Sequence, residues 1–204
     1  MKLNNPNIAI LLLAAGASRR MGQPKQLLKI NEHQTLLEHT IHAAQATPCQ
    51  QITVVLGANA TAIQTAIHTT NISVVYNPLW EEGMGTSLRI GLKNLLDQNN
   101  SLAAVIISVC DQPYLTADIF LNLLTQYQDT KSPIVVADYG QQRGVPALLD
   151  KEFFSQLLRL QGDTGARSII KQHQALVTTI DFPKGAIDLD TPEAYQAYLT
   201  RSKK

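Results

Sequence analysis

The sequence has few of the residues that several common protein classes require. Its two cysteines, Cys49 and Cys110, are too few for a disulfide framework and lack the C-x-x-C spacing of a zinc site. Lysine and arginine number 17 against 16 aspartates and glutamates, and this net charge of +1 argues against binding to nucleic acid or to a membrane surface. Four Phe, one Trp and six Tyr also argue against a platform that stacks single-stranded bases.

Long apolar runs and targeting signals are missing as well. The apolar run at residues 8–15 is too short to span a bilayer and is typical of a buried strand. The first seven residues show no signal-peptide pattern, so we expect a cytoplasmic protein. The chain has 204 residues, of which 45% are hydrophobic, and no linker rich in Pro, Gly or Ser divides it. These features predict a single domain over residues 1–204.

Apolar segments of strand length alternate with segments of helical period. The predicted strands cover residues 8–13, 52–56, 72–76, 102–109 and 133–137. The predicted helices cover residues 35–46, 59–68, 85–97, 116–127, 151–159 and 165–172. Unbroken β-branched runs are typical of strands buried on both faces, so this alternation predicts an α/β fold with a doubly wound, mostly parallel sheet. Ligands bind such sheets beyond the carboxyl ends of the strands, which makes the loops after the strands the candidate sites.

The loop after the first predicted strand combines small residues with two cations. The small residues let backbone amides approach a ligand, and a nest of amides attracts phosphate oxygens. Arg20 adds a planar fork for two oxygens, and Lys25 adds a compact ammonium group. The loop is neither a G-x-G-x-x-G nor a Walker A sequence. The candidate nucleotide-binding residues are Leu13, Ala14, Ala15, Gly16, Ser18, Arg20 and Lys25. The alternative is a surface loop with solvated arginines.

Two later glycine-rich segments also precede predicted helices. Free amides and hydroxyl groups at the start of a helix attract anions, and such groups occur at Gly83, Met84, Gly85, Thr86 and Ser87. Arg167 follows the second segment, at 162–166, from which it could reach a phosphate. The alternatives are glycines that only turn the chain and an arginine that is only solvated.

Two aspartates are candidate metal ligands. Asp111 follows an uncharged predicted strand, where a carboxylate can face the cleft and suits Mg²⁺. Asp190 precedes Thr191-Pro192, a sequence that predicts a helix start. Each aspartate also has a structural interpretation, because an Asp near a proline favours a turn and an Asp at a helix start opposes the helix dipole.

Five segments of the chain resemble a single family. LAAGASRRMGQPKQLL at 13–28 is similar to the signature LAAGxSxRMGxxKxLL of the nucleotidyltransferases that include molybdenum cofactor cytidylyltransferase. The other four segments, each similar to a motif of that family, are NPLWEEGMGTSL at 77–88, CDQP at 110–113, GDTGAR at 162–167 and DLDTPE at 188–193. They follow the family's order and are distributed from residue 13 to residue 193, over nearly the whole length of the chain.

This resemblance implies a Rossmann-like fold of the nucleotide-diphospho-sugar transferase type and a Mg²⁺-dependent reaction. The terminal phosphate of molybdopterin would attack the α-phosphate of CTP and release pyrophosphate. The resemblance implies that Asp111 holds the metal together with Asp188 or Asp190, of which we favour Asp190. It implies catalytic roles for Arg20, Lys25 and Asp111, and an acceptor side formed by residues 83–87, to which we add Arg167. A transient contact with a molybdoenzyme or its chaperone would follow from this chemistry.

The resemblance also implies a preference for cytidine, because Ala15 stands where the guanylyltransferase relatives carry glycine. Its methyl group favours the smaller pyrimidine, and hence CTP. Two alternatives stay open at this point. The acceptor could be a sugar phosphate or another phosphorylated metabolite, or the domain could sense nucleotides without catalysis. Intact Arg20, Lys25, Asp111 and Asp190 argue against the second alternative.

Overall fold

The computed structural model describes residues 7–202, so the two ends of the predicted domain lie outside the described residues. The strands are β1 (Ile8–Ala14), β2 (Gln51–Leu56), β3 (Ser73–Tyr76), β4 (Ala104–Val109), β5 (Ile134–Asp138), β6 (Arg143–Asp150) and β7 (Val177–Asp181). The helices are α1 (Leu36–Gln45), α2 (Ala60–Ala66), α3 (Met84–Gln98), α4 (Ala117–Thr130), α5 (Phe154–Leu157), α6 (Arg167–Gln172) and α7 (Pro192–Ser202). In this range no helix combines the length and apolarity needed to cross a membrane.

All seven strands form one sheet in the order β3-β2-β1-β4-β6-β5-β7. Strand β6 is antiparallel to β4 and β5, and every other pair is parallel. The predicted α/β fold with a mostly parallel sheet is therefore confirmed. The single-domain boundaries and the cytoplasmic location stay predictions.

Two apolar layers explain the unbroken apolar run of β1. Ile8, Ile10 and Leu12 face a layer that includes the apolar sides of α1 and α4. The intervening Ala9 and Leu11 face the opposite layer, with α3, α5 and α6. Since successive side chains of a strand point to opposite faces, a strand covered on both sides has no polar position.

Strand β6 was not predicted, because Pro146 interrupts its apolar pattern. Proline donates no ladder hydrogen bond and is found in sheets at edges or bulges. The register between β5 and β6 shifts here, since Val136 pairs with Ala147 and the next residue, Ala137, pairs with Gly144. Pro146 thus lies in a bulge, where its missing N–H costs no ladder bond.

A capping box begins helix α1. Thr35 Oγ1 accepts a hydrogen bond from the Glu38 amide at 3.2 Å, and Glu38 Oε2 accepts one from the Thr35 amide at 2.9 Å. Burial raises the pKa of the Glu38 carboxyl, but the hydrogen bonds from Thr35 outweigh it and the pKa lies below its usual value. The helix that covers β1 is therefore fixed at its first turn.

We expect Thr35→Ala to lower the free energy of unfolding by about 1 kcal/mol, because the first turn loses its side-chain acceptor. Urea unfolding at pH 7 measures this loss, with Thr65→Ala as the control, since the exposed Thr65 bonds only to the Thr61 carbonyl. The pKa of the Glu38 carboxyl is lower in the folded protein than in the unfolded chain. Its interactions therefore stabilise the fold at pH values above the unfolded-state pKa, and this stabilisation is lost as the pH falls. The difference between wild type and Thr35→Ala should therefore shrink below about pH 4.3.

Candidate active site

The parallel strands β1 and β4 are neighbours and end side by side, at Ala14 and Val109. Strand β2, which follows β1 in the chain, lies on the other side of β1. The strand order reverses between β1 and β4, and a reversal of this kind leaves a crevice at the carboxyl ends of a sheet. The loop after β1 and the residues after β4 both border a cavity at this place.

The loop after β1 contains a row of amides without a partner in residues 7–202. The amides of Gly16, Ala17 and Ser18 donate to no other described residue. Ser18 has a left-handed φ of +54°, and its carbonyl accepts hydrogen bonds from Met21 and Gly22. Successive amides around a left-handed residue form a concavity that binds anions. The loop thus presents amides unpaired within the described chain around a left-handed residue, an arrangement of the kind that binds anions.

A buried glutamine fixes the shape of this loop. Gln26 is 1% exposed, and its Nε2 donates to the carbonyls of Ala14 at 2.8 Å and Gly16 at 3.0 Å. The Lys25 amide donates to Ser18 Oγ at 3.0 Å. These bonds join the two ends of the loop and hold its amides near the Lys25 side chain. Sequence reasoning missed Gln26, since nothing but its place after Lys25 distinguishes it.

Two carboxylates share one ammonium group beside the loop. Lys25 Nζ lies 2.7 Å from Asp111 Oδ2 and 2.6 Å from Asp190 Oδ1. Arg20 pairs with the other oxygen of Asp190, although the arginine side chain is 72% exposed. The structure therefore brings together four of the five charged residues that the sequence analysis selected, from three distant segments, and leaves out Arg167.

The two carboxylates keep Lys25 charged. Burial lowers the pKa of the Lys25 ammonium, but the charge of Asp111 and the hydrogen bonds to Asp111 and Asp190 outweigh it, so the pKa is raised. Lys25 is consequently a permanent cation at physiological pH. In a partly buried position its charge is screened less than that of a surface lysine.

Asp190, and not Asp188, pairs with Lys25 opposite Asp111. Asp188 forms no ion pair with a residue in the described range. Its pKa is raised by partial burial and by the charges of Asp190 and Asp111 nearby. The geometry therefore favours Asp190, the member of the pair that sequence reasoning also favoured.

The cavity against this cluster has a volume of about 470 Å³, within the range of small-molecule sites. Its wall includes the predicted residues Leu13, Ala14, Ala15, Gly16, Ser18, Lys25, Gly83, Met84, Ser87 and Asp111. The predicted residues that do not line it are Arg20, Gly85, Thr86, Arg167 and Asp190. The wall also includes Arg19, Gln26, Trp80 and Asp163, which sequence reasoning did not assign to a site.

Trp80 forms part of the wall because a glycine lies behind it. A Cβ atom on Gly57 would lie 2.5 Å from the Trp80 Cβ and 2.7 Å from the Ala15 carbonyl oxygen. The Ala58 amide donates to the same carbonyl at 3.0 Å. The loops after β1 and β2 and the tryptophan thus meet only because position 57 has no side chain.

The start of helix α3 differs from the predicted anion site. The Gly85 amide donates to the Gly162 carbonyl at 2.9 Å, so it is not free. Thr86 is 1% exposed, and its hydroxyl accepts from Asn77 Nδ2 at 2.9 Å and donates to nearby carbonyls. The prediction of a free amide at Gly85 and a free hydroxyl at Thr86 is wrong, because tertiary partners already occupy both groups.

Two arginines predicted to bind phosphate do not line the cavity. Arg167 begins α6 and donates to Gln142 Oε1 at 3.0 Å. Arg20 pairs with Asp190, whereas its neighbour Arg19 lies in the cavity wall. The side chains of successive residues in a turn point in different directions. Arg20 therefore contacts Asp190, whereas the adjacent Arg19 faces the cavity.

Neither a cysteine nor a histidine provides a nucleophile or a base here. Burial, reinforced by the Asp111 charge, raises the pKa of the Cys110 thiol to about 12, so this thiol stays protonated at neutral pH. No histidine of the described chain lines the cavity. The chemistry of the site must therefore come from its charged groups and its amides.

The sequence of this chain is similar to those of several known proteins. Residues 10–176 match the family model of the MobA-like NTP transferase domain. A molybdenum cofactor guanylyltransferase of Shewanella frigidimarina is 27% identical over 207 aligned positions, covering 98% of this chain and 99% of the relative. Nicotine blue oxidoreductase of Paenarthrobacter nicotinovorans is 29% identical over 204 positions, covering 95% and 96%.

A solved structure shares the fold over nearly the same range. Rv0371c of Mycobacterium tuberculosis H37Rv, in complex with manganese, is 26% identical and superimposes with a TM-score of 0.75. The match covers 95% of this chain and 98% of that one. The similarity therefore extends over nearly the full length of both chains.

We expect Gly83→Ala to lower the free energy of unfolding by roughly 2–4 kcal/mol. Gly83 has a φ of +111°, and an added Cβ would lie 2.6 Å from the Asp163 amide. Gly140 has a similar φ of +96° but open space around it, so Gly140→Ala should lose only about 1–2 kcal/mol. Urea unfolding of both variants measures the difference. Equal losses of unfolding free energy in the two variants would show that the close packing of Gly83 against residues 162–163 does not contribute.

Proposed function

Since this chain belongs to the family of MobA-like NTP transferase domains and is a nucleotidyltransferase, we propose that it transfers CMP from CTP to the terminal phosphate of molybdopterin. The observation that carries this proposal is the Lys25 ammonium shared by Asp111 and Asp190 beside a row of free amides. Such groups serve a triphosphate, whose negative oxygens need both hydrogen-bond donors and positive charge.

The carboxylate pair also fits a divalent metal. One oxygen of Asp111 and one of Asp190 already converge on a single cationic atom, and carboxylate oxygens are the ligands that Mg²⁺ and Mn²⁺ prefer. Within residues 7–202 no three His, Cys, Asp or Glu side chains cluster to hold a metal alone. Substrate phosphates would complete the ligand set, as is usual for Mg²⁺. When bound, the metal would neutralise charge on the triphosphate.

The proposed reaction requires little proton chemistry from the protein. An oxygen of the acceptor phosphate forms a bond to the α-phosphorus, the bond from that phosphorus to the bridging oxygen breaks, and pyrophosphate leaves. A phosphate monoester is already anionic at neutral pH, so no base has to deprotonate it. Lys25 and the free amides of the loop would hold the triphosphate and stabilise the charge that develops.

The choice of CTP depends on Ala15, which lies in the cavity wall with 7% of its surface exposed. Its carbonyl is tied to the Ala58 amide, so the loop cannot widen freely around a larger base. The Shewanella relative is named a guanylyltransferase, which makes GTP the competing nucleotide. Molybdopterin is proposed as the acceptor on the basis of that relative's name, and a sugar phosphate is the alternative.

We expect Asp111→Ala and Asp190→Ala each to lower the turnover rate by roughly 10²-fold or more, because the triphosphate would lose its metal. Asp188→Ala, the matched control, should retain most activity, since Asp188 pairs with neither Lys25 nor Arg20. The measurement is pyrophosphate release with CTP, Mg²⁺ and molybdopterin. A cooperatively unfolding Asp111→Ala protein with a near-normal rate would refute the metal assignment.

We expect CTP to be used in preference to GTP, and Ala15→Gly to reduce this preference. Removing the methyl group gives a purine more room, although a full reversal would need other base contacts to change as well. Initial pyrophosphate release with each of the four nucleoside triphosphates, at equal concentration and saturating acceptor, gives the ratio. A wild-type preference for GTP would overturn the proposal of CTP. A ratio unchanged by Ala15→Gly would exclude Ala15 as its determinant.

A panel of acceptors tests the reaction itself. Molybdopterin, several sugar 1-phosphates and inorganic phosphate are compared with CTP and Mg²⁺, and the product is identified by mass. One further reaction contains nicotine blue and an electron donor, because one relative is named nicotine blue oxidoreductase. Pigment reduction without pyrophosphate release from any acceptor would assign the cavity to redox chemistry instead.

A further inference from the structure

A buried glutamine joins the end of β4 to the segment that carries Asp190. Gln112 directly follows Asp111 and is 4% exposed. Its Nε2 donates to the Gly185 carbonyl at 2.8 Å, to the Tyr139 hydroxyl oxygen at 3.0 Å and to the Val145 carbonyl at 3.2 Å. One side chain thus contacts three separate parts of the chain.

The orientation of the Gln112 amide follows from these partners. Two of the three are carbonyl oxygens, which only accept hydrogen bonds, so the NH₂ group must face them. The Tyr139 hydroxyl itself donates to the Val145 carbonyl, and that carbonyl therefore does not depend on Gln112 alone. The bond to the Gly185 carbonyl is the shortest of the three and has no such substitute.

The segment at 185–190 is not a strand of the sheet, so no ladder of backbone bonds sets its position. Within the described chain, two hydrogen bonds join it to the end of β4. One is the bond from Gln112 to Gly185, and the other runs from the Leu189 amide to the Asp111 carbonyl at 2.9 Å. Asp190 follows Leu189 directly, and its carboxylate meets that of Asp111 at Lys25.

We propose that Gln112 is a positioning residue that sets the spacing of the Asp111 and Asp190 carboxylates by holding the carbonyl of Gly185. This inference rests on the proposed function, in which the two carboxylates share a metal. Loss of the Gln112 bond removes one of the two hydrogen bonds that join the 185–190 segment to Asp111 and Gln112, and leaves the Leu189–Asp111 bond and the ion pairs of Asp190 in place. The carboxylates then meet the metal in a wider range of geometries, and residues that orient ligands in this way typically contribute 10–100-fold to metal affinity.

The test is the affinity for Mn²⁺ in the presence of CTP and without an acceptor, measured by water-proton relaxation. We expect Gln112→Leu, which keeps the bulk but loses the donor, to weaken Mn²⁺ binding by about 10-fold or more. Saturating Mn²⁺ should restore most of its kcat with molybdopterin. The matched control is Tyr139→Phe, which removes the hydroxyl but keeps the Gln112–Gly185 bond and the edge-to-face ring contact with Phe182. Its Mn²⁺ affinity should stay within about threefold of wild type.

The Mn²⁺ affinities of the Gln112 and Tyr139 variants decide whether Gln112 positions the carboxylates. Wild-type Mn²⁺ affinity in Gln112→Leu, or an equal loss in Tyr139→Phe, would overturn the positioning role. If Gln112→Leu does not unfold cooperatively, Gln112→Asn is measured instead. Its side chain is one methylene too short for the amide to reach the Gly185 carbonyl, so Mn²⁺ binding should weaken by the same factor. Binding of Mn²⁺ that depends on Gln112, without pyrophosphate release from any acceptor, would refute the proposed reaction while supporting the positioning role.

Discussion

One partly buried ammonium group between two carboxylates determines how this site is built. Asp111 and Asp190 are 79 positions apart in the numbering of the chain, and their like charges would repel each other without the cation. Lys25 belongs to the loop whose amides Gln26 fixes, so the same residue places positive charge next to that row of donors. The loop after β1, the end of β4 and the segment before α7 thus meet at one ammonium group.

The central strands could be predicted because burial on both faces leaves a simple pattern. Strands β1, β2 and β4 are nearly pure apolar runs, and the structure confirms them. Strands β6 and β7 were missed for local reasons. Pro146 disguises β6, and β7 carries two threonines and is only half buried, as expected at a sheet edge. An apolar run therefore predicts a strand only where both faces of that strand are buried along its whole length.

The site could be predicted where its residues lie in the connections that follow strands β1 and β4, as Lys25 and Asp111 do. It could not be predicted where side chains bond to backbone far away in sequence. The Gly185 carbonyl, one of the three partners of Gln112, is 73 positions distant in sequence, and the partner of the Gly85 amide is the Gly162 carbonyl. The start of α3 looks like an open anion site in sequence because nothing local shows that another loop already occupies its amide.

The position of Trp80 makes the cavity visible to spectroscopy. It is the only tryptophan of the chain, it is half buried, and it forms part of the cavity wall against the loops after β1 and β2. Indole emission depends on the polarity and rigidity of its surroundings. The indole emission of the unlabelled protein therefore originates beside the candidate ligand site, with no second tryptophan to dilute it.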